Sequence, residues 1–362
     1  MKKYLVVVIA LCWAAQAFAH QVAPTGENFV RYKDGFYLES ADGKNSLHIQ
    51  GRVQVRFTYN ALKSAGDTNT FAIQRGKFAL DGNVLEKNLQ YKFEMNLATR
   101  AANSGWATLE DYYFDWIANE YVGIRCGQFR VPFLIQELVS DGKQQFVDRS
   151  LATGIFDFLL DLGVALHGDL FNHHLGYSLF AMNGDGANNL DSNQAMLTGV
   201  RFDVPLLGAP KYSETDVDYS EEKSLGLGVA YVFNEATAAI QGNIPARTKA
   251  SHLTGDLTYK YKGLSLTGAG MVTTTHEGSR ITNVGYYAQS GYFIVPKSFE
   301  LALKESSIFF QTLPNQYEHS LGINYFFRKH SIKLQTDYAF LKNNRGQGLD
   351  DSRIRTQMQV AF

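Results

Sequence analysis

The stretch SLHIQGRVQVRFTYN, residues 46–60, decides the fold because its side chains alternate between two chemical classes. One face is apolar and the other is polar and basic, the apolar face being Leu47, Ile49, Val53, Val55, Phe57 and Tyr59. Alternation with a period of two indicates a β-strand that separates a hydrophobic surface from a hydrophilic one. The pattern recurs to the end of the chain between turn signals, and it predicts about sixteen strands.

The N-terminus indicates export. Residues 1–19, MKKYLVVVIALCWAAQAFA, combine two lysines, an apolar core and a small-residue site, which predicts a secretory signal peptide cleaved before His20. A membrane anchor helix is the alternative, but it needs about 18 apolar residues and no cleavage site. A lipoprotein at Cys12 is a second alternative, although Leu11 precedes it where a small residue is expected. Cleavage leaves Cys126 as the single thiol, so no intramolecular disulfide framework is expected.

Composition then favours a membrane barrel over a soluble core or a helical membrane protein. Hydrophobic residues make up 45% of the chain, which contains 25 Phe and 20 Tyr, yet no segment after the signal resembles an uninterrupted spanning helix. We therefore expect an all-β protein, a transmembrane antiparallel β-barrel of residues 46–362 in the bacterial outer membrane. Residues 20–45 are interpreted as an N-terminal periplasmic extension. Removal of Lys2 and Lys3 takes the formal charge from -1 to -3, so no basic excess points to nucleic acid.

The register of the strands follows from the cost of placing charges in lipid. Facing Arg52 or Arg56 outward would cost about 2–4 kcal/mol each near the midplane, so both are expected to face the lumen. The same argument along the chain predicts nine lumen-lining cations: Arg52, Arg56, Arg75, Lys77, Arg100, Arg125, Arg201, Arg353 and Arg355. An interior this polar is expected to be a water-filled channel, because dry burial of such groups costs several kcal/mol each.

One stretch does not fit the strand pattern. GQFRVPFLIQELVSDGKQQFVDRSLATGIFDF, residues 127–158, is long and irregular, and loops of that length in compact domains usually have a function. Residues 134–158 are interpreted as a constriction loop that folds into the lumen, where irregular backbone is tolerated. The alternative is a surface loop that shields the outer rim. The loop carries three carboxylates, Glu137, Asp141 and Asp148.

Several motifs together resemble the phosphate-selective porins of the porin O and P type. The matching residues are DGFYLESADGKNSLHIQGRVQVRF from Asp34, QRGKFALDGNVLEKNLQYKFEMNLA from Gln74, LEDYYFDWIANEYVGIRCGQFRVPF from Leu109, and SDGKQQFVDRS from Ser140, followed by DLGVALHGDL. The resemblance implies a sixteen-stranded homotrimer that passes small anions, with Lys143 and Arg149 as the basic residues of the eyelet. The final Phe362 resembles the C-terminal sorting signal of outer-membrane proteins, which implies recognition by the barrel-assembly machinery and insertion among membrane lipid.

The expected function is a porin for small hydrophilic solutes with a preference for anions such as phosphate. The acidic residues mixed with the basic ones leave a weakly selective general porin as the alternative. A barrel-embedded enzyme would need a lumen Ser, His and acid set, and an adhesin barrel would carry long outer loops. The connection of residues 208–223 is polar and acidic, which predicts an exposed loop. No cofactor, metal or catalytic residue is expected from the motifs.

Overall fold

The computed structural model describes residues 30–32, 35–63, 66–98, 107–190, 195–208, 212–236, 248–276, 280–343 and 349–362. This part of the chain is built from antiparallel β-strands with three short helical turns. The strands are β1 (Val30–Tyr32), β2 (Phe36–Glu39), β3 (Ser46–Ala61), β4 (Thr68–Val84), β5 (Glu86–Asn96), β6 (Thr108–Asn119), β7 (Val122–Arg130), β8 (Leu160–Leu170), β9 (Leu175–Met182), β10 (Leu197–Leu207), β11 (Ser224–Ala236), β12 (Thr248–Tyr261), β13 (Leu264–Thr275), β14 (Thr282–Val295), β15 (Phe299–Phe309), β16 (Gln316–Arg328), β17 (Ile332–Lys342) and β18 (Asp351–Ala361).

Strands β3 to β18 close into one barrel of sixteen strands. Closure joins the last strand to the first, with pairs that run from Ser352 opposite Ala61 to Ala361 opposite Arg52. Phe362 extends this seam by one residue, because it exchanges two backbone hydrogen bonds of 2.9 Å with Gly51. The predicted all-β barrel is confirmed.

Strands β1 and β2 lie beside the closed ring. β2 pairs with the first residues of β3, from Phe36 opposite Ile49 to Glu39 opposite Ser46, and β1 folds back on β2. The Phe36 ring lies 6.2 Å from that of Phe362, so these strands sit against the end of the seam. Of the segment 20–45, residues 20–29 and 33–34 fall outside the described part of the chain, as does the predicted signal peptide, residues 1–19.

The two ends of the barrel differ. One end, here called the turn end, holds Phe362 and tight connections such as Lys262–Gly263, whose positive φ angles of 45° and 80° suit a two-residue type I′ hairpin. The opposite end, the loop end, holds longer connections, including residues 131–159 between β7 and β8. In bacterial outer-membrane barrels the short turns lie on the periplasmic side, which is the side expected for the turn end. The helices in the described residues are all too short to cross a membrane.

Side chains alternate across the wall in the expected register. Val53 and Val55 are 46% and 45% exposed on the outer surface, whereas Gln54 between them is fully buried on the inner side. Lys333, Gln335 and Asp337 of β17 are likewise buried inside the barrel. The outer surface is therefore an apolar belt suited to lipid, and the inner wall of these strands is polar.

The interior is not polar throughout, because an apolar cluster that the sequence analysis did not foresee occupies one side of the barrel. The inner faces of β8 to β11 and of β13 to β15 carry apolar residues that pack in one cluster with residues 129–156; the wall members include Ala165, Phe180, Met182, Leu197, Ala230, Val232, Ala269, Met271, Tyr287 and Ile308. The expectation of a polar interior was based on strands such as β3, whose inner faces are charged. Between β9 and β15 the wall instead supplies the apolar surface on which the connecting segment packs.

Candidate channel constriction

Residues 131–159 between β7 and β8, here called the inner loop, lie within the ring of strands. The loop contains α1 (Ile135–Leu138), a 3-10 turn (Asp141–Lys143) and α2 (Thr153–Phe156). It makes hydrogen bonds to inward-facing side chains of β3, β4, β10 and β13 to β18. The inner loop therefore crosses the interior from one wall to the other.

Local hydrogen bonds explain why this segment folds as two short helices. The Arg130 guanidinium donates to the carbonyl of Glu137 at 2.7 Å, and so satisfies an oxygen at the end of α1 that has no partner in the helix. Just before α2, the Ser150 hydroxyl accepts a hydrogen bond from the N–H of Thr153, the first residue of the helix, at 3.1 Å. The Thr153 hydroxyl in turn donates to the Gln136 side chain at 2.7 Å, which ties the two helices together.

The apolar side of the inner loop fixes it to the wall. Phe133, Leu134 and Phe156 are at most 5% exposed and pack in the cluster that includes Met182, Val232 and Met271. Burial of each such side chain contributes about 1.5–3 kcal/mol. This packing decides which wall the loop lies on and leaves its polar side facing β3, β4 and β16 to β18.

Asp141 is the first of two charged anchors on that polar side. Its carboxylate lies 2.7 Å from Arg75 Nε and 2.9 Å from Lys77 Nζ, and it also accepts a hydrogen bond from Arg52. Burial opposes ionisation of this carboxyl, yet the charges of Arg52, Lys77 and Arg75 hold its pKa well below the usual range. Asp141 is therefore ionised and binds the loop to β3 and β4.

Asp148 is the second anchor. Its carboxylate oxygens lie 3.0 Å from Arg56, 3.3 Å from Arg75 and 3.7 Å from Arg355. Burial again opposes ionisation, but Arg75, Arg56 and Arg355 hold the pKa of this carboxyl well below its usual range. The two anchors share Arg75, so they form one continuous charged cluster on β3, β4 and β18.

This cluster is balanced in charge. Lys77 also pairs with Glu94 at 2.9 Å and with Glu110, and Arg355 pairs with Asp337 at 2.7 Å. The five cations Arg52, Arg56, Arg75, Lys77 and Arg355 thus meet five carboxylates, Asp141, Asp148, Glu94, Glu110 and Asp337. Paired charges at such distances largely cancel, so these wall cations exert a weak field on a solute several ångströms away.

The two basic residues of the inner loop have different surroundings. Lys143, at the end of the 3-10 turn, is exposed, and its ammonium has no ion-pair partner among the described residues. Arg149 is instead drawn into the loop: its Nε donates to the carbonyl of Gln136 at 3.1 Å and lies 2.8 Å from a Glu137 carboxylate oxygen. Lys143 is therefore the better placed of the two to act on a passing ion.

The remaining predicted lumen cations are spread around the wall. Arg125 of β7 pairs with Asp115 of β6 at 2.6 Å, a few strands around the ring from the charged cluster. Arg201 is 1% exposed beneath the inner loop, where it pairs with Asp256 at 2.8 Å and donates to the carbonyl of Phe133. Arg353 has a buried Nε without a hydrogen-bond partner in the described part of the chain. Arg100 lies outside the described residues.

Sequence reasoning missed several residues that hold the loop. Lys304 lies 4.6 Å from the centre of the Phe146 ring and pairs with Glu318 at 3.1 Å, and both charged side chains are almost fully buried. Lys333 donates to the carbonyl of Gln144 at 2.9 Å. Their inward positions are readable from the strand alternation, but nothing in the sequence shows that a distant loop reaches them.

A second connection also enters the barrel. Residues 212–218 between β10 and β11, here called the strap, lead inward from the turn end, and Glu214, Thr215, Asp216 and Val217 are all at most 5% exposed. The expectation of an exposed loop over residues 208–223 is wrong for these four positions. Its basis was polarity, and a polar segment is equally suited to solvent and to a polar interior that satisfies its hydrogen bonds.

Two cavities remain between the inner loop, the strap and the wall. They measure about 950 and 820 Å³, and they share Lys92, Glu94, Ser140 and Tyr212 in their linings. Lys143 lines the smaller cavity. The open space therefore runs along the inner face of β5, where Lys92 pairs with Glu94 at 3.0 Å.

A closed sixteen-stranded barrel with an apolar belt, a charged inner wall and a loop folded into its interior defines an outer-membrane porin. The sequence profile of the family "Phosphate-selective porin O and P" matches residues 47–362, and the chain belongs to that family. An uncharacterized protein of Aquifex aeolicus is 21% identical over 280 residues, which cover 69% of this chain and 67% of that protein.

Solved structures have the same architecture. An anion-selective porin from Comamonas acidovorans superposes with a TM-score of 0.66 at 14% identity, covering 88% of this chain and all of that one. OmpT of Vibrio cholerae, in its trimer form, gives a TM-score of 0.59 at 10% identity, again over 88% of this chain and all of the other. These similarities establish the barrel fold.

Proposed function

We propose that this porin is a passive channel for small hydrophilic solutes that favours anions such as phosphate. The observation that carries the proposal is the exposed Lys143 on the inner loop, beside a charged cluster in which Arg52, Arg56, Arg75, Lys77 and Arg355 are all paired with carboxylates. Residues 134–158 form the constriction in this proposal, with Lys143 acting on the solute and Glu137, Asp141, Asp148 and Arg149 fixing the loop. Membership of a phosphate-selective family and the fold of an anion-selective porin support it.

A weakly selective general porin is the second candidate. The five-to-five balance of the charged cluster favours it, because paired cations add little to the potential along the path. Under this alternative Lys143 alone is too weak to exclude cations. The two candidates share a fold and differ only in selectivity.

The protein acts in this proposal as a channel and not as an enzyme. His167 bonds to Asp115 at 2.8 Å, and Ser178 lies opposite His167 on the next strand. Within the described residues, however, the Ser178 hydroxyl makes no hydrogen bond to that imidazole. A nucleophile that is not bonded to its base lacks the arrangement that activates it.

The proposal includes the protein's route and assembly. We propose export by the signal peptide of residues 1–19, recognition by the barrel-assembly machinery through Phe362, and contact of the apolar belt with membrane lipid. A homotrimer is the proposed assembly, in line with the trimer form of the Vibrio cholerae protein. In that proposal the segment 20–45 lies on the periplasmic side.

Ion selectivity of the full-length protein tests the function. The purified protein is reconstituted in a planar bilayer under a KCl gradient, and the reversal potential is measured before and after inorganic phosphate is added. A potential of the anion-selective sign with block of chloride current by phosphate is expected. Stable channels with a cation-selective potential and no block would instead support the general porin, and a protein that inserts but does not conduct would refute both.

A further inference from the structure

The strap is anchored firmly at the turn end of the barrel. The Asp216 carboxylate accepts from the N–H of Gly263 at 2.8 Å, in the β12–β13 hairpin, and from the N–H of Ser220 at 3.0 Å. Val217 packs with Phe293 and Phe326, which belong to the inner faces of β14 and β16. The strap therefore starts at β10 and is fixed under strands several positions further around the ring.

The strap also holds the inner loop at the residues that flank Lys143. The backbone N–H of Glu214 donates to the carbonyl of Lys143 at 3.1 Å. The two carboxylate oxygens of Glu214 accept from the N–H of Gln145 at 2.7 Å and from the Gln136 side chain at 2.8 Å. Glu214 is 2% exposed, so these bonds are made away from solvent, where hydrogen bonds to a carboxylate are strong.

We infer that the strap is a second constriction element, built from the periplasmic end, and that Glu214 is a positioning residue for Lys143. The inference rests on the proposed function, because Lys143 is the residue on which selectivity depends there. The inner loop enters from the loop end and the strap from the turn end, and they meet at Lys143 and Gln145. The eyelet is thus formed by two connections from opposite ends of the barrel.

The cavities indicate where solutes pass this double constriction. Tyr212, at the start of the strap, lines both cavities together with Ser140 of the inner loop and Lys92 of β5. The other side of the interior is filled by the apolar cluster of the inner loop. A small anion therefore passes between the strap and the wall of β5, and the strap sets the width of that passage.

The strap is tested first by channel conductance. Replacement of residues 213–218 by six Gly and Ser residues, in the full-length chain, should raise single-channel conductance about twofold or more, because a mobile polar segment no longer fills that part of the opening. Glu221→Ala, an exposed position on the same connection, is the matched control and should leave conductance unchanged. Heat-modifiable mobility on gel electrophoresis shows that the strap variant is folded. Unchanged conductance in a folded strap variant would overturn the inference.

Positioning of Lys143 is tested by coupling. Lys143→Glu is measured in the parent and in the Glu214→Ala and Glu214→Gln backgrounds, with the anion-to-cation permeability ratio as the readout. If Glu214 positions Lys143, the change caused by Lys143→Glu should be several-fold smaller in both backgrounds, and open-channel noise should increase. Equal changes in all three backgrounds would show independent sites and refute the positioning role. A parent protein that fails to conduct would refute the proposed channel itself, whatever the variants do.

Discussion

Reversal of the Lys143 charge gives the most direct prediction. An ion that passes about 7 Å from the ammonium, at an effective dielectric near 40, gains or loses about 1.2 kcal/mol. Screening over a Debye length of about 8 Å reduces this to about 0.5 kcal/mol. Lys143→Glu changes the local charge by two units, so the energy of an anion there should rise by about 1 kcal/mol, and its occupancy should fall about fivefold.

The cation energy shifts by the same amount in the opposite direction, so the anion-to-cation permeability ratio should fall roughly 25-fold. Reversal potentials under a tenfold KCl gradient measure that ratio directly. Lys87→Glu is the matched control, because Lys87 is an exposed lysine at the turn end of β5 and does not line either cavity. A change below about twofold at Lys143, or an equal change at both lysines, would refute the reasoning that local charge in the constriction sets selectivity.

Three further perturbations test the loop that carries this lysine. Asp141→Asn leaves Lys77 and its neighbouring arginines with one carboxylate fewer. Reversal potentials should therefore become more anion-selective. The free energy of unfolding, measured by denaturant titration, should fall by about 3–5 kcal/mol. Phe133→Ala removes a buried aromatic side chain that packs the inner loop on the wall. The substitution should lower the free energy of unfolding by about 3–5 kcal/mol and speed proteolytic cleavage of the loop. Burial, together with the charge and hydrogen bond of Glu137, raises the pKa of Asp157 to about 8. Because the folded protein keeps this proton at pH values where the unfolded chain releases it, the free energy of unfolding falls as the pH rises from about 4 to 8. Channel noise should therefore grow up to about pH 8 and then level off, and Asp157→Asn should abolish that dependence.

The barrel and its register were predictable because each follows from a local pattern. Arg52 and Arg56 alternate with Val53 and Val55, and the cost of a charge in lipid leaves a single orientation for the strand. The irregular run after Arg130 identifies the inner loop for the same reason, since it interrupts an otherwise regular series. These features are determined within one strand or one connection.

The pairings inside the barrel were not predictable, because each joins residues far apart in sequence. Asp141 is 89 residues from Arg52, and Gln145 is 155 residues from Glu300, yet both pairs are in contact. The sequence shows which charges face inward but not which carboxylate meets which cation. Nor does polarity distinguish a strap buried against other polar groups from a loop in water, which is why the inward course of Glu214 was missed.

The pairings explain how selectivity and stability are divided in this interior. Asp141 and Asp148 pair with four arginines and a lysine of the wall. These ion pairs hold the loop in place, and because the charges largely cancel, the same cations act only weakly on solutes. Lys143 lies on the same loop, but the strap holds its backbone and leaves its ammonium exposed. Substitution of Asp141 or Asp148 should therefore increase anion preference while weakening the loop, whereas substitution of Lys143 should decrease anion preference without loss of stability. The two substitutions should change anion preference in opposite directions, because the wall cations hold the loop while Lys143 acts on the solute. A change in the same direction for both would be inconsistent with this division.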